Sequence, residues 1–137
     1  MTPATQMRRA LDEVVLRVLR EAGFTGKHPH YRRIDSRSQT IDLVSFQTDK
    51  WGGGFLIELA RCPAKNIRDW AGRRISSRRV TAQHFLERTR LPKAINRRGW
   101  YRYDQGDAED RFEKIAMGVL AHLATKRVVL GGRKRGK

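Results

Sequence analysis

Two apolar stripes, one near each end of the chain, set the strongest limit on how it can fold. Met7, Leu11, Val14, Val15, Val18 and Leu19 recur at spacings of three and four, and so do Phe112, Ile115, Ala116, Val119, Leu120 and Leu123. Residues three and four apart share one face of a helix, so each segment reads as an amphipathic helix with a single face to bury. Thr2 is placed to cap the first helix, Pro3 suits its first position, and Gly23 offers a stop. After Gly106, Asp107 reads as the cap of the second, with Glu109 and Asp110 favourably placed near the positive end of its dipole. Two one-faced helices need a common surface, and the segments between them must supply it.

Those segments carry strand patterns. Residues 30–34 read as a short strand, Asp35-Ser36-Arg37-Ser38 as a turn, and residues 39–48 as a second strand. In the second, Ile41, Leu43 and Ser45 share one face and Asp42, Val44 and Phe46 the other, so both faces are expected to be partly covered. Phe55, Ile57 and Leu59 alternate with Leu56, Glu58 and Ala60 in a third strand that Pro63 ends. Between them stands Trp51-Gly52-Gly53-Gly54. A phosphate-cradling loop needs spaced glycines that run into a helix N-terminus, whereas these are consecutive and run into a strand. They are read as a hairpin turn that uses positive φ, with Trp51 folded over the sheet edge.

Residues 64–79 form a loop or short helix anchored by Trp70 and Ile75, residues 80–91 fit neither period well, and Trp100-Tyr101-Arg102-Tyr103 reads as extended. The expected fold is α+β: an antiparallel sheet of four to five strands with N- and C-terminal helices packed on one face. One domain is expected over residues 1–130, followed by a basic tail over 131–137 that has nothing to bury and should be mobile.

With 137 residues the chain is long enough to build a core without staples, and its one cysteine, Cys62, reads as a small buried residue rather than half of a disulfide or metal knuckle. Asp12, Glu13, Arg17 and Arg20 interrupt the first apolar stripe, so no signal-peptide core is present, and no apolar run is long enough to span a bilayer. The cytoplasm is the simplest location, and no membrane partner is implied.

Charge is the dominant global property. The chain has 30 Lys+Arg against 14 Asp+Glu, a formal net charge of +16, and such a field attracts polyanions whatever the fold beneath it. Arginine makes up 22 of the 30, a skew that genome composition also produces without selection for binding. The residues assigned to polyanion binding are Arg32 and Arg33, then Arg73, Arg74, Arg78 and Arg79, then Arg97 and Arg98, and finally Arg133, Lys134 and Arg135. Trp70, Trp100, Tyr101 and Tyr103 lie among them and are able to stack on bases, although short aromatic runs more often pack. Nucleic acid is the expected partner, with an acidic protein as the alternative, in the manner of an inhibitor or immunity-type factor.

Signals for catalysis are thin. His28 and His30 lack a neighbouring acid or thiol that would make a metal pair, and nothing unites His84 with Cys62 as base and nucleophile. A metal-dependent nuclease needs clustered carboxylates, for which Asp42 and Glu58 on adjacent strands are the candidates, but Glu58-Leu59-Ala60 lacks the Glu-x-Lys spacing of restriction-type cores. No catalytic residue is assigned, a non-enzymatic role is favoured, and no cofactor or oligomeric state is implied.

Several short motifs point in one direction. They are Ala22-Gly23-Phe24 at the end of the first helix, Tyr31-Arg32-Arg33, Phe46-Gln47 with Trp51 and the glycines before Phe55, His84-Phe85 with Glu87-Arg88, and Trp100 ahead of the last helix. Together they resemble the signature of the bacterial domain of unknown function family 4304, over about residues 7 to 125. The chain departs from that signature at Gln83 and Leu86, where similar proteins are expected to carry a cysteine and an arginine. The resemblance implies no activity, but it implies that residues 80–90 form a strand.

Overall fold

The computed structural model describes residues 1–92 and 99–126. Its helical elements are α1 (Pro3–Leu11), a π-helical turn (Asp12–Leu16), α2 (Arg17–Glu21), a 3-10 turn (Ala82–His84) and α3 (Arg111–Ala124). The strands are β1 (Thr25–Lys27), β2 (His30–Asp35), β3 (Thr40–Thr48), β4 (Gly54–Pro63), β5 (Thr89–Leu91) and β6 (Tyr101–Arg102). Strand order is β1-β2-β3-β4-β5, with β6 also pairing β4. The α+β class and antiparallel sheet expected from the sequence are therefore present. Six strands replace four to five because β1, with three residues, and β6, with two, are too short to show an alternation. No described helix is long and apolar enough to cross a membrane.

The chain divides into two compact units. The first comprises Met1–Gly23, Thr48–Leu56 and the described part of Leu91–Lys137, and the second Phe24–Gln47 and Ile57–Arg90, so β3 and β4 contribute residues to both. Residues 131–137, expected to be a mobile tail, lie outside the described residues.

In the first unit, α1 and the π turn pack on α3. Met7, Leu11, Val15 and Leu19 from one apolar stripe and Phe112, Ala116, Val119 and Leu123 from the other are all buried. Thr2 caps α1 by accepting from the Thr5 N–H at 3.1 Å. Asp107 does not cap α3. The guanidinium of Arg111 donates to the carbonyls of Tyr103 and Ala108, which holds a turn ahead of the helix and moves its start to Arg111, with Asp110 at the cap position. Tyr101 stacks on Phe55 with ring centroids 5.2 Å apart, and Tyr103 is buried beside Phe112, so both tyrosines pack.

The glycines after Trp51 do form a turn. Gly52 and Gly53 adopt φ of +85° and +80°, and the Asp49 N–H donates to the Gly54 carbonyl. Arg102 braces the turn from β6 by donating to Asp49 Oδ2 at 3.0 Å and to the Gly52 carbonyl at 3.2 Å, and its bonds to Asp104 and Asp49 raise its own pKa. Trp51 does not fold over the sheet. It is 71% exposed, with the Lys50 ammonium 5.2 Å from its ring centroid, since the bracing is done by Arg102.

In the second unit, Ile41, Leu43, Cys62, Ile67, Val80 and Ala82 form one apolar cluster, which Ile75 and Phe85 flank. Burial raises the Cys62 thiol pKa, consistent with an inert core residue. The strand expected over 80–90 is confined to its last residues. Thr81 and His84 cap one another, the Thr81 N–H donating to His84 Nδ1 at 2.9 Å, and this closes a 3-10 turn where a ladder would otherwise run.

Candidate functional site

Polar side chains of the second unit fall into two rows, and the hairpin sets which residues share each row. Asp49 stands opposite Gly54, so counting back along β3 and β4 places Asp42 opposite Arg61 and Ser45 opposite Glu58. On β2, Arg33 pairs with Asp42 and His30 with Ser45. Because successive residues of a strand point to opposite faces, Arg33-Asp42-Arg61 lies on one face and His30-Ser45-Glu58 on the other.

The first row is an ion-pair triad. Asp42 Oδ2 accepts from Arg33 Nε and Nη2 at 3.2 and 2.8 Å, and Oδ1 accepts from Arg61 Nε at 2.7 Å. In the second row, His30 Nδ1 lies 2.8 Å from Ser45 Oγ. Glu58 is fully buried and accepts from Gln83 Nε2 at 3.0 Å, Arg88 Nε at 2.6 Å and Arg90 Nε at 3.2 Å. Asp42 and Glu58, the carboxylates that a nuclease would have to share, therefore stand on opposite faces, each taken up by arginine. Among the described residues, no group of three or more His, Cys, Asp or Glu is arranged to hold a metal ion, and no buried side-chain nitrogen or oxygen lacks a hydrogen-bond partner.

Burial lowers the pKa of His30, and His84 and Arg32 lower it further, against the opposing pull of Glu58. The unfolded chain then takes up the proton first as acid is added. Stability from this group is present above the ordinary imidazole value of about 6.5 and is lost as pH falls below it. Urea melts at pH 7.5 and 5.5 should show a smaller loss on acidification for His30→Gln than for the parent; equal losses would remove His30 from the account.

Asp42 and Glu58 are thus held by particular arginines, and a separate run of cations lies further along the chain. Between Lys65 and Arg79 the chain carries six cations, Lys65, Arg68, Arg73, Arg74, Arg78 and Arg79, against the single acid Asp69. Asp69 is buried and organises the tip of this segment. Its Oδ1 accepts from the backbone N–H groups of Ala71 and Arg73, both at 2.9 Å, and its Oδ2 from Arg73 Nε at 3.1 Å. Burial pulls the Asp69 pKa up, but these bonds outweigh it and hold the carboxyl below its usual value. The Ile75 N–H donates to the Ile67 carbonyl and the Asp69 N–H to the Arg73 carbonyl, so residues 67–75 form a hairpin rooted on buried Ile67. Arg68 donates to the Gly72 carbonyl and Arg74 to Asn66 Oδ1. Among the described residues, Lys65, Arg68, Arg74, Arg78 and Arg79 make no ion pair with an acid.

The predicted binding residues separate accordingly. Arg73, Arg74, Arg78 and Arg79 are exposed and lie in this one segment. Arg32 turns to its backbone, donating to the carbonyls of Ser77, Arg78 and Val80, and so ties the segment to β2. Arg33 is 6% exposed and committed to Asp42, with its guanidinium carbon 4.7 Å from the centroid of the Phe24 ring, which turns it away from any ligand in solvent. Arg97, Arg98, Arg133, Lys134 and Arg135 lie outside the described residues. Trp70, expected to be an apolar anchor, is instead 62% exposed at the hairpin tip. The sequence reading leaves Lys65 and Arg68 out of the binding set, although both belong to the same run of cations.

A family model described as Domain of unknown function (DUF4304) matches residues 15–124, and the chain belongs to that family. No curated protein and no solved structure matches it.

Proposed function

We propose that this protein is a non-enzymatic basic module that binds nucleic acid in the cytoplasm. The observation that carries this reading is the segment from Lys65 to Arg79, which holds six cations and one buried acid and in which, among the described residues, only Arg73 makes an ion pair with an acid. Guanidinium groups donate two parallel bonds to a phosphate, and a hairpin already fixed by Asp69 loses little entropy when it binds. The buried acids Asp42 and Glu58 of the same unit are held by Arg33, Arg61, Arg88 and Arg90.

Affinity for a mixed-sequence oligonucleotide, measured by fluorescence anisotropy, should fall steeply between about 50 and 200 mM salt and depend little on sequence. Replacing Arg73, Arg74, Arg78 and Arg79 together with glutamine should flatten the slope of log K against log salt by about three, the share of four phosphate contacts. An unchanged slope would place the contacts elsewhere. Recovery of a protein partner from nuclease-treated lysate, with no oligonucleotide affinity, would favour an acidic protein ligand instead.

A further inference from the structure

We infer that the ligand of this surface is single-stranded, with one unpaired base stacked on Trp70 and a neighbouring nucleotide seated in the groove along the base of the hairpin. The inference rests on the nucleic-acid reading above and adds strandedness to it.

Trp70 is a large apolar ring left 62% exposed, yet its backbone is fixed rather than loose. Its N–H donates to the His84 carbonyl at 3.0 Å, and the residues on either side are bonded to or belong to the Asp69 turn. Gly72, at φ of +80°, completes the tight return and would meet no atom within 4 Å if it bore a Cβ, so the tip is open on that side. A ring left largely in solvent on a fixed backbone is already positioned for a flat partner. Every base presents such a face, but in a duplex that face is covered by its neighbours. Stacking on a side chain therefore selects strands whose bases are unpaired.

At the root of the same hairpin lies an open groove of about 360 Å³, lined by Ala64, Asn66, Ile67, Arg74, Ile75 and the adjoining Ser76 and Ser77. That volume is within the range of pockets for small ligands, roughly 300 to 1,000 Å³. Apolar Ile67 and Ile75 offer a floor for a base or sugar, while Arg74, Asn66 and the serines offer donors to phosphate and base edges. Groove and ring belong to one nine-residue hairpin, residues 67–75, with the groove at its root and Trp70 toward its tip. The surrounding cations select an anionic strand over other flat ligands.

The test compares fluorescence-labelled 12-mers of one mixed sequence as single-stranded DNA, single-stranded RNA and DNA duplex, bound to the full chain and to Trp70→Ala and Trp70→Phe. At least one of the single strands should bind about ten-fold tighter than the duplex, and the two single-stranded arms identify whether DNA or RNA is preferred. Trp70→Ala should weaken single-strand binding by roughly ten-fold while leaving the duplex unchanged, and Trp70→Phe should restore most of the loss. Equal binding of duplex and single strands, or a Trp70→Ala effect that is absent or equal for both, overturns the inference and leaves the basic surface standing. No binding to any of the three overturns both.

Discussion

Glu58→Ala is expected to lower the unfolding free energy by about 3–5 kcal/mol, the range for removing one partner of a buried ion pair. Glu58 is fully buried and takes bonds from Gln83, Arg88 and Arg90, so alanine leaves a void and three donors without their acceptor. The two arginines will not suffer equally. The side chain of Arg90 is 47% exposed and can turn to water, whereas that of Arg88 is 18% exposed and remains charged against the protein. Most of the loss should therefore come from Arg88. Because the three donors lie between residues 83 and 90, amide exchange across this segment should accelerate more than elsewhere. Glu58→Gln preserves shape and some acceptor capacity and should lose less. Urea denaturation gives the free energies, and a loss below about 1 kcal/mol for Glu58→Ala would mean that the carboxylate holds nothing in place.

The helices were legible because a long element repeats its signal. Each terminal stripe offers six residues in phase, and Thr2 and Gly23 mark the ends by chemistry local to the chain. The turn at Gly52 and Gly53 was legible for a similar reason, since positive φ leaves few residue choices. The segment over 80–91 was not. Its conformation is decided by His84 Nδ1 accepting from the Thr81 N–H and by Glu58 gripping Gln83, Arg88 and Arg90 from another strand. Neither contact leaves a periodic trace in the sequence. The start of α3 was misplaced by three-dimensional contacts of the same kind, through Arg111.

For the candidate site, composition identified the kind of residue but not its availability. Arg33 and Arg32 are adjacent in sequence, yet one is buried against Asp42 and the other is spent on backbone carbonyls. Which arginine meets an acid follows from strand register, and register depends on a turn whose length the sequence does not state outright. A different register would have brought Asp42 toward Glu58 and made a carboxylate pair credible; the observed one separates them to opposite faces. Trp70 was misread because large aromatic residues usually anchor loops. Its exposure follows from Asp69, whose small buried carboxylate takes over the anchoring role.

Asp42→Ala should cost about as much as Glu58→Ala, about 3–5 kcal/mol, but the loss should be recoverable by a second change. Asp42 is 2% exposed and collects three guanidinium bonds, two from Arg33 and one from Arg61. Arg61 has a side chain 41% exposed and returns to water at little cost. Arg33, 6% exposed, cannot do so, and removal of the carboxylate takes from it the charge that offsets its desolvation. The double variant Arg33→Met, Asp42→Leu removes cation and anion together and fills the space with apolar atoms, which buried pairs often tolerate. It should be more stable than Asp42→Leu alone, so that the two sites fail to add in the double-mutant cycle closed by the single variants Arg33→Met and Asp42→Leu. Arg33→Met by itself should be milder, because Arg61 still faces Asp42 at 2.7 Å. Losses that simply summed across the cycle would show that the energy lies in packing around Val44 and Phe46 rather than in the ion-pair row. In that case the arginine excess would have to be reassessed, since Arg33 and Arg61 could no longer be counted as cations consumed by the fold.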